Sequence, residues 1–208
     1  MSDVKSIDTF YNGYRFRSRL EARWAVFFDH AFIDYQYEPE GFLLSDGSCY
    51  LPDFYLPLFR MYVEIKPTTI SSEELVTAEN KMVQLFNGEI FSEKGKGITV
   101  ALFQGDPIEN INWIYCKAKL NNEYSCGWYP MKFIKGCYGN YRGKRYSFKK
   151  NVTTVSVYCN NIDTFFSNSA FDKDAMLINA NEITGCVSTF KSAKLRARQA
   201  RFEFGECG

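Results

Sequence analysis

The chain has 208 residues, is 46% hydrophobic and 24% charged, and carries a formal net charge of +1. These are globular values for one domain, or one domain with an appendage, and they exclude a disordered or low-complexity chain. No apolar run reaches membrane-spanning length, the first residues lack an apolar signal core, and the seven cysteines form no C-x-x-C pair beside the single His30. A zinc ribbon, a secreted disulfide framework and a membrane partner are therefore not expected; a cytoplasmic protein with reduced thiols is.

In chain order, residues 10–17 read as a strand or hairpin turning at Asn12-Gly13. Ser18 follows as an N-cap, and Leu20, Trp24, Phe27, Phe28 and Ala31 form a helical apolar face, predicting a helix over 18–32. Ser18-x-x-Glu21 fits a capping box, with Glu21 bonding back to the Ser18 backbone. Arg15, Arg17, Arg19 and Arg23 surround Glu21, either as a solvated face with local ion pairs or as phosphate contacts. Residues 35–44 read as a strand with an irregularity at Pro39, and Glu38 and Glu40 as surface or edge charges.

Leu51–Leu56 and Tyr62–Lys66 read as two strands joined by a turn at 57–60. Side chains alternate along a strand, so Glu64 and Lys66 share a face and Ile65 points into the core. If the strands pair, Asp53, Glu64 and Lys66 share one end of the sheet. Two carboxylates and an amine on an apolar scaffold are costly unless they bind something, and a divalent metal beside a bound water would compensate. A helix over about 73–87 follows, capped by Ser71 or Ser72 and stopped at Asn87-Gly88, with Lys81 and Gln84 on its polar face. Ile98–Phe103 reads as a buried strand, and Gly105-Asp106-Pro107 as a loop.

Pro52-Asp53 followed by Glu64-Ile65-Lys66 resembles the motif of the PD-(D/E)XK nuclease superfamily. The order helix, three strands, helix, strand over about residues 10–105 is similar to that superfamily's minimal core. The resemblance implies an α/β restriction-endonuclease-like fold and hydrolysis of DNA phosphodiester bonds with Mg²⁺, for which Mn²⁺ would substitute. Asp53 and Glu64 would hold the metal with the Ile65 carbonyl, and Lys66 would orient or help deprotonate the attacking water. Ser-Arg-Leu-Glu-Ala-Arg-Trp-Ala looks like the helix that carries a metal-site glutamate in archaeal Holliday-junction resolvases and some transposon endonucleases. Glu21 would then be a catalytic and metal-site residue.

The charge is unevenly spread. Residues 1–104 carry 10 Lys/Arg against 15 Asp/Glu, and residues 105–208 carry 15 against 9. An acidic half beside a basic half suits a metal-binding core next to a phosphate-binding surface. The predicted division is a nuclease core over 1–106 and a β-rich, basic, aromatic-rich extension over 107–208. Within 117–150, aromatics interleave with cations, among them Lys144 and Arg145, and glycines at 127, 136, 139 and 143 suggest short hairpins. That mixture suits nucleic acid, or a small sheet with solvated lysines.

A last helix over 188–204 carries an apolar stripe of Phe190, Ala193, Ala197, Ala200 and Phe204. Beside it runs a basic stripe that includes Lys194, Arg198 and Arg201, and Gly205 stops the helix. The two ends of the chain also look like a group of phage and prophage proteins, which would put it in the cytoplasm of a bacterial host. The expected partner is DNA, with a homodimer left open. The competing expectation is a non-catalytic nucleic-acid-binding or virion protein that keeps the fold.

Overall fold

The computed structural model describes residues 7–90, 98–107, 112–120, 123–135, 139–141, 144–146, 155–159, 165–167 and 191–202. Strands β1 (Thr9–Tyr11) and β2 (Tyr14–Phe16) form a hairpin. Its turn residues Asn12 and Gly13 have φ of 46° and 81°, the left-handed pair that a two-residue hairpin turn requires. Helix α1 (Arg19–Ala31) starts at Ser18, whose hydroxyl accepts the Glu21 amide at 3.1 Å. Phe32 closes the helix in the left-handed region, with its amide on the Asp29 carbonyl and that of Ile33 on the Phe28 carbonyl.

Strand β3 (Gln36–Tyr37) joins the main sheet, whereas β4 (Phe42–Leu43) pairs only with β5 (Cys49–Tyr50). The single strand expected over 35–44 is thus two. Glu38, at φ 43°, and Pro39 turn the chain between them. Strands β6 (Phe54–Leu56) and β7 (Met61–Lys66) pair antiparallel across a 3₁₀ turn at Pro57–Phe59. Helix α2 (Ser72–Ile90) then carries the chain to β8 (Thr99–Gln104), parallel to β7. Asn87-Gly88 does not stop α2; a helical glycine costs only about 1 kcal/mol against alanine.

The second half continues this sheet. Strands β9 (Asn112–Leu120), β10 (Glu123–Lys135), β13 (Val155–Cys159) and β14 (Phe165–Ser167) complete eight strands in the order β14-β13-β10-β9-β8-β7-β6-β3. Strands β11 (Gly139–Tyr141) and β12 (Lys144–Tyr146) form a separate ladder. Gly127 does not break the chain into short hairpins, because β10 runs through it opposite Cys116. The division expected at 106/107 falls between two neighbouring strands of one sheet.

Helix α3 (Lys191–Gln199) is shorter than expected, and Ala200 and Arg201 lie past its end. Phe190, Phe204 and Gly205 are outside the described residues. The alanine stripe docks as its spacing predicts: Ala193 and Ala197 are fully buried in one core cluster with Ala22, Ala25 and Phe28 of α1. Small residues allow two helices this close an approach. The molecule is therefore a mixed α/β protein in layers. One sheet face packs Met61, Val63, Ile65 and Phe103 against α1 and α3; the other packs Tyr62, Val100 and Leu102 against Met82, Leu85 and Phe86 of α2. Among the described residues, no helix is long and apolar enough to cross a membrane.

Candidate active site

The register of β6 on β7, with Phe54 opposite Val63, sets Asp53 beside Glu64 at the carboxyl end of β7. Alternation turns Glu64 and Lys66 to the face of Tyr62, away from the Val63 and Ile65 core. Lys66 Nζ lies 2.7 Å from Glu64 Oε1. Asp53 Oδ2 accepts the Ile65 amide at 2.7 Å, fixing the carboxylate against the next strand. Asp53, Glu64 and Glu21 are only 4%, 7% and 8% exposed.

Burial, then the charges of Glu64 and Glu21, push Asp53 well above the usual carboxylate range; the Ile65 amide and Lys66 offset this only in part. The three carboxylates therefore act on one another. Burial pulls the Lys66 amine down, but the charge and hydrogen bond of Glu64 outweigh it and raise it. Lys66 is thus held as an ammonium, which donates and cannot take up a proton.

Glu21 departs from the expected capping box. Its Oε1 accepts the Ser18 hydroxyl at 2.7 Å, and its Oε2 accepts the Arg17 amide at 3.2 Å instead of the Ser18 amide. The same Oε2 accepts the Tyr37 hydroxyl at 2.6 Å. Tyr50 is the counterpart on the other side, donating to Glu64 Oε2 at 2.7 Å. Burial and these carboxylates push both phenols up, so both stay protonated donors. Sequence reasoning missed the two tyrosines. Their one signal is placement: Tyr50 precedes Pro52-Asp53 closely, and Tyr37 alternates with Tyr35.

Of the four arginines expected around Glu21, Arg17 is the one that reaches Asp53. Its Nη2 lies 2.9 Å from Asp53 Oδ1 and its Nε 2.5 Å from Glu38 Oε1. Glu38 is therefore not a plain edge charge: it is half-buried and donates its amide to the Asp53 carbonyl at 2.9 Å. Glu40 is exposed, as expected, and accepts the Tyr62 hydroxyl at 2.6 Å. Of the other arginines, Arg15 pairs with Asp8 at the exposed hairpin, Arg23 with Asp106 at 3.0 Å, and Arg19 sits half-exposed in the first turn of α1. Gln84 is turned away from the site and binds Ser45 and Asp46 of the β4–β5 turn. Lys144 and Arg145 lie on β12 opposite Tyr141 and Asn140. Lys194 is half-buried, and Arg198 and Arg201 are exposed, lining with Leu195 and Gln199 a shallow cleft of about 450 Å³.

The donor set at the carboxylates is all oxygen, which suits Mg²⁺ or Mn²⁺ and not a thiolate-preferring ion. Among the described residues, no group of three or more His, Cys, Asp or Glu is arranged to hold a metal. Asp53 and Glu64 offer two carboxylates, the number Mg²⁺ commonly takes from a protein when waters and phosphate oxygens complete its shell. Charge balance fits as well: Glu38 and Asp53 pair with the Arg17 guanidinium, Glu64 pairs with Lys66, and Glu21 adds its charge beside Asp53. With all of them ionised, the cluster lacks the charge of one divalent cation. No family model, no curated protein and no solved structure matches the chain.

Proposed function

We propose that the chain is a Mg²⁺-dependent endonuclease with a PD-(D/E)XK-type core, hydrolysing DNA phosphodiester bonds. The observation that carries this reading is the pairing of β6 and β7, which gathers Asp53, Glu64 and Lys66 at one sheet end while α1 brings Glu21 to the same buried cluster. Support at the level of elements comes from α1, then β3, β6 and β7 in antiparallel array, then the α2 crossover to parallel β8.

Asp53 and Glu64 would hold the metal, with the Ile65 carbonyl as the further ligand, and Glu21 would sharpen the local negative field. When bound, the metal would lower the pKa of a coordinated water and offset charge on the phosphate. Lys66 would orient the water and stabilise charge developing on phosphate oxygens. Tyr50 and Tyr37 would hold Glu64 and Glu21 in place. The basic cleft beside α3 would supply sequence-independent phosphate contacts.

The alternative is a binding protein that retains this core without cleavage. It is favoured by one observation: Arg17 and Lys66 already neutralise part of the carboxylate charge. Incubation of supercoiled plasmid with Mg²⁺ or Mn²⁺ separates the two. The nuclease reading expects nicking that chelator abolishes and that Asp53→Asn and Lys66→Ala each lower by at least about a hundredfold. Glu21→Gln, which keeps one oxygen to accept the Arg17 amide and the Tyr37 hydroxyl while its amide nitrogen can donate to the Ser18 hydroxyl oxygen, should fold normally and still lose most of its activity. Binding without nicking by the wild-type protein would establish the alternative.

A further inference from the structure

Arg17 stands between two carboxylates of different kinds. Asp53, which takes its Nη2, is almost fully buried and belongs to the proposed metal site. Glu38, which takes its Nε, is a quarter exposed at its side chain and lies on the outer margin of that site. Glu38 also adopts φ 43°, a conformation a glutamate rarely takes, and its amide is bonded to the Asp53 carbonyl. The backbone is thus held in an unfavourable form that sets the Glu38 carboxylate beside the guanidinium. The Arg17 side chain itself is 56% exposed, so it has solvent to move into. Its backbone amide stays fixed by Glu21 Oε2 and the Tyr37 hydroxyl.

The two contacts use different nitrogens, a hydrogen bond from Nη2 to Asp53 and an ion-pair contact of Nε with Glu38, so one can break while the other persists. A divalent cation binding Asp53 must compete for the oxygen that Arg17 holds. We propose that Arg17 is an internal cation that occupies the Asp53 carboxylate until a divalent metal displaces it, and that Glu38 retains the displaced guanidinium at the edge of the site. This rests on the metal-site reading above. It has two consequences. The metal-free cluster is kept from carrying its full negative charge, and Arg17 is delivered, still tethered, to where a phosphate would approach. Apparent metal affinity is reduced by the fraction of molecules in which Arg17 is seated on Asp53.

The test is the half-saturating concentration of Mg²⁺ and Mn²⁺ for the full chain, measured by thermal shift and by calorimetry without DNA. Arg17→Gln should lower it about tenfold, corresponding to Arg17 occupying Asp53 roughly nine-tenths of the time. Glu38→Gln should raise it several-fold in the wild-type background and leave it nearly unchanged in the Arg17→Gln background, a coupling that mere through-space charge would not produce. In the wild-type protein, the ¹⁵N side-chain signals of Arg17 should report release of Nη2 on adding Mg²⁺ while the guanidinium stays ordered beside Glu38, a readout that needs no variant to fold. Metal binding by the wild type with an unchanged affinity in Arg17→Gln, additive effects of the two substitutions, or Arg17 signals indifferent to metal would each overturn the displacement while leaving the metal site standing. Absence of binding in both wild type and Arg17→Gln would overturn both together.

Discussion

Tyr50 and Tyr37 each donate one hydroxyl to one carboxylate oxygen, of Glu64 and Glu21 respectively. Such outer hydrogen bonds fix a ligand's rotamer and keep one oxygen aimed inward. Tyr50→Phe keeps the ring packed beside Leu44 and Tyr62 but leaves Glu64 Oε2 without its donor in a buried setting. It should cost about 1–3 kcal/mol of stability by chemical denaturation and weaken metal binding about 10–100-fold by calorimetry.

Asp53 has a sharper signature. Its folded-state pKa is raised, so the folded state holds its proton more tightly than the unfolded chain. The stabilisation this gives is fully present below the unfolded value of about 4 and is lost as pH rises from there through the raised folded value. Metal-free protein should therefore lose stability on going from acid to neutral pH at this group. Asp53→Asn, which cannot ionise, should flatten that loss in melting curves recorded with chelator across pH 4 to 8.

At the scale of elements, α1 was legible because a capping serine and a 3.6-residue apolar period agree over Ser18–Ala31. Asp53, Glu64 and Lys66 were legible because alternation and one short turn determine their relation. Tyr37, Tyr50 and the Arg17–Asp53 pair were not, since each joins segments whose relative register no local pattern reports. The split of 35–44 into β3 and β4 depends on a left-handed glutamate, a conformation against its own preference. The length of β10 was hidden by Gly127, whose weak strand propensity is overridden by a neighbour on β9.

Helix α3 carries its own prediction. Its alanines face α1, so Lys194→Gln, Arg198→Gln and Arg201→Gln together leave that packing intact. If these side chains contact phosphates, the triple variant should bind unrelated DNA sequences about equally more weakly. Its slope of log affinity against log salt should fall by roughly one unit per lost contact, measured by fluorescence anisotropy in Ca²⁺. An unaltered slope would assign α3 to packing alone.

At the scale of the whole molecule, one hydrogen-bonded sheet carries strands from both the acidic first half and the basic second half. The carboxylate cluster sits where β6 and β7 meet, inside that sheet, and not at its free edge. Its partners Arg17, Tyr37, Tyr50 and Lys66 come from the first half, and residues at the start of the second hold α1 in place. Trp24 Nε1 donates to the Gly105 carbonyl at 2.9 Å, and Arg23 pairs with Asp106, fastening α1 to the end of β8.

The docking of α3 on α1 joins the beginning and the far end of the described chain. On a ribosome, α1 emerges long before α3, and the face of α1 on which α3 docks stays without that cover while everything between is made. Long-range closure of this kind slows folding and prolongs exposure of apolar surface. A nascent chain would thus pass through a stage in which the carboxylates exist but the helix that packs on α1 does not. Chains halted before Lys191 should stay sensitive to protease and prone to capture by chaperones, while the full-length chain becomes resistant on release. A halted chain as resistant as the finished one would show that α1 is secured by the sheet alone.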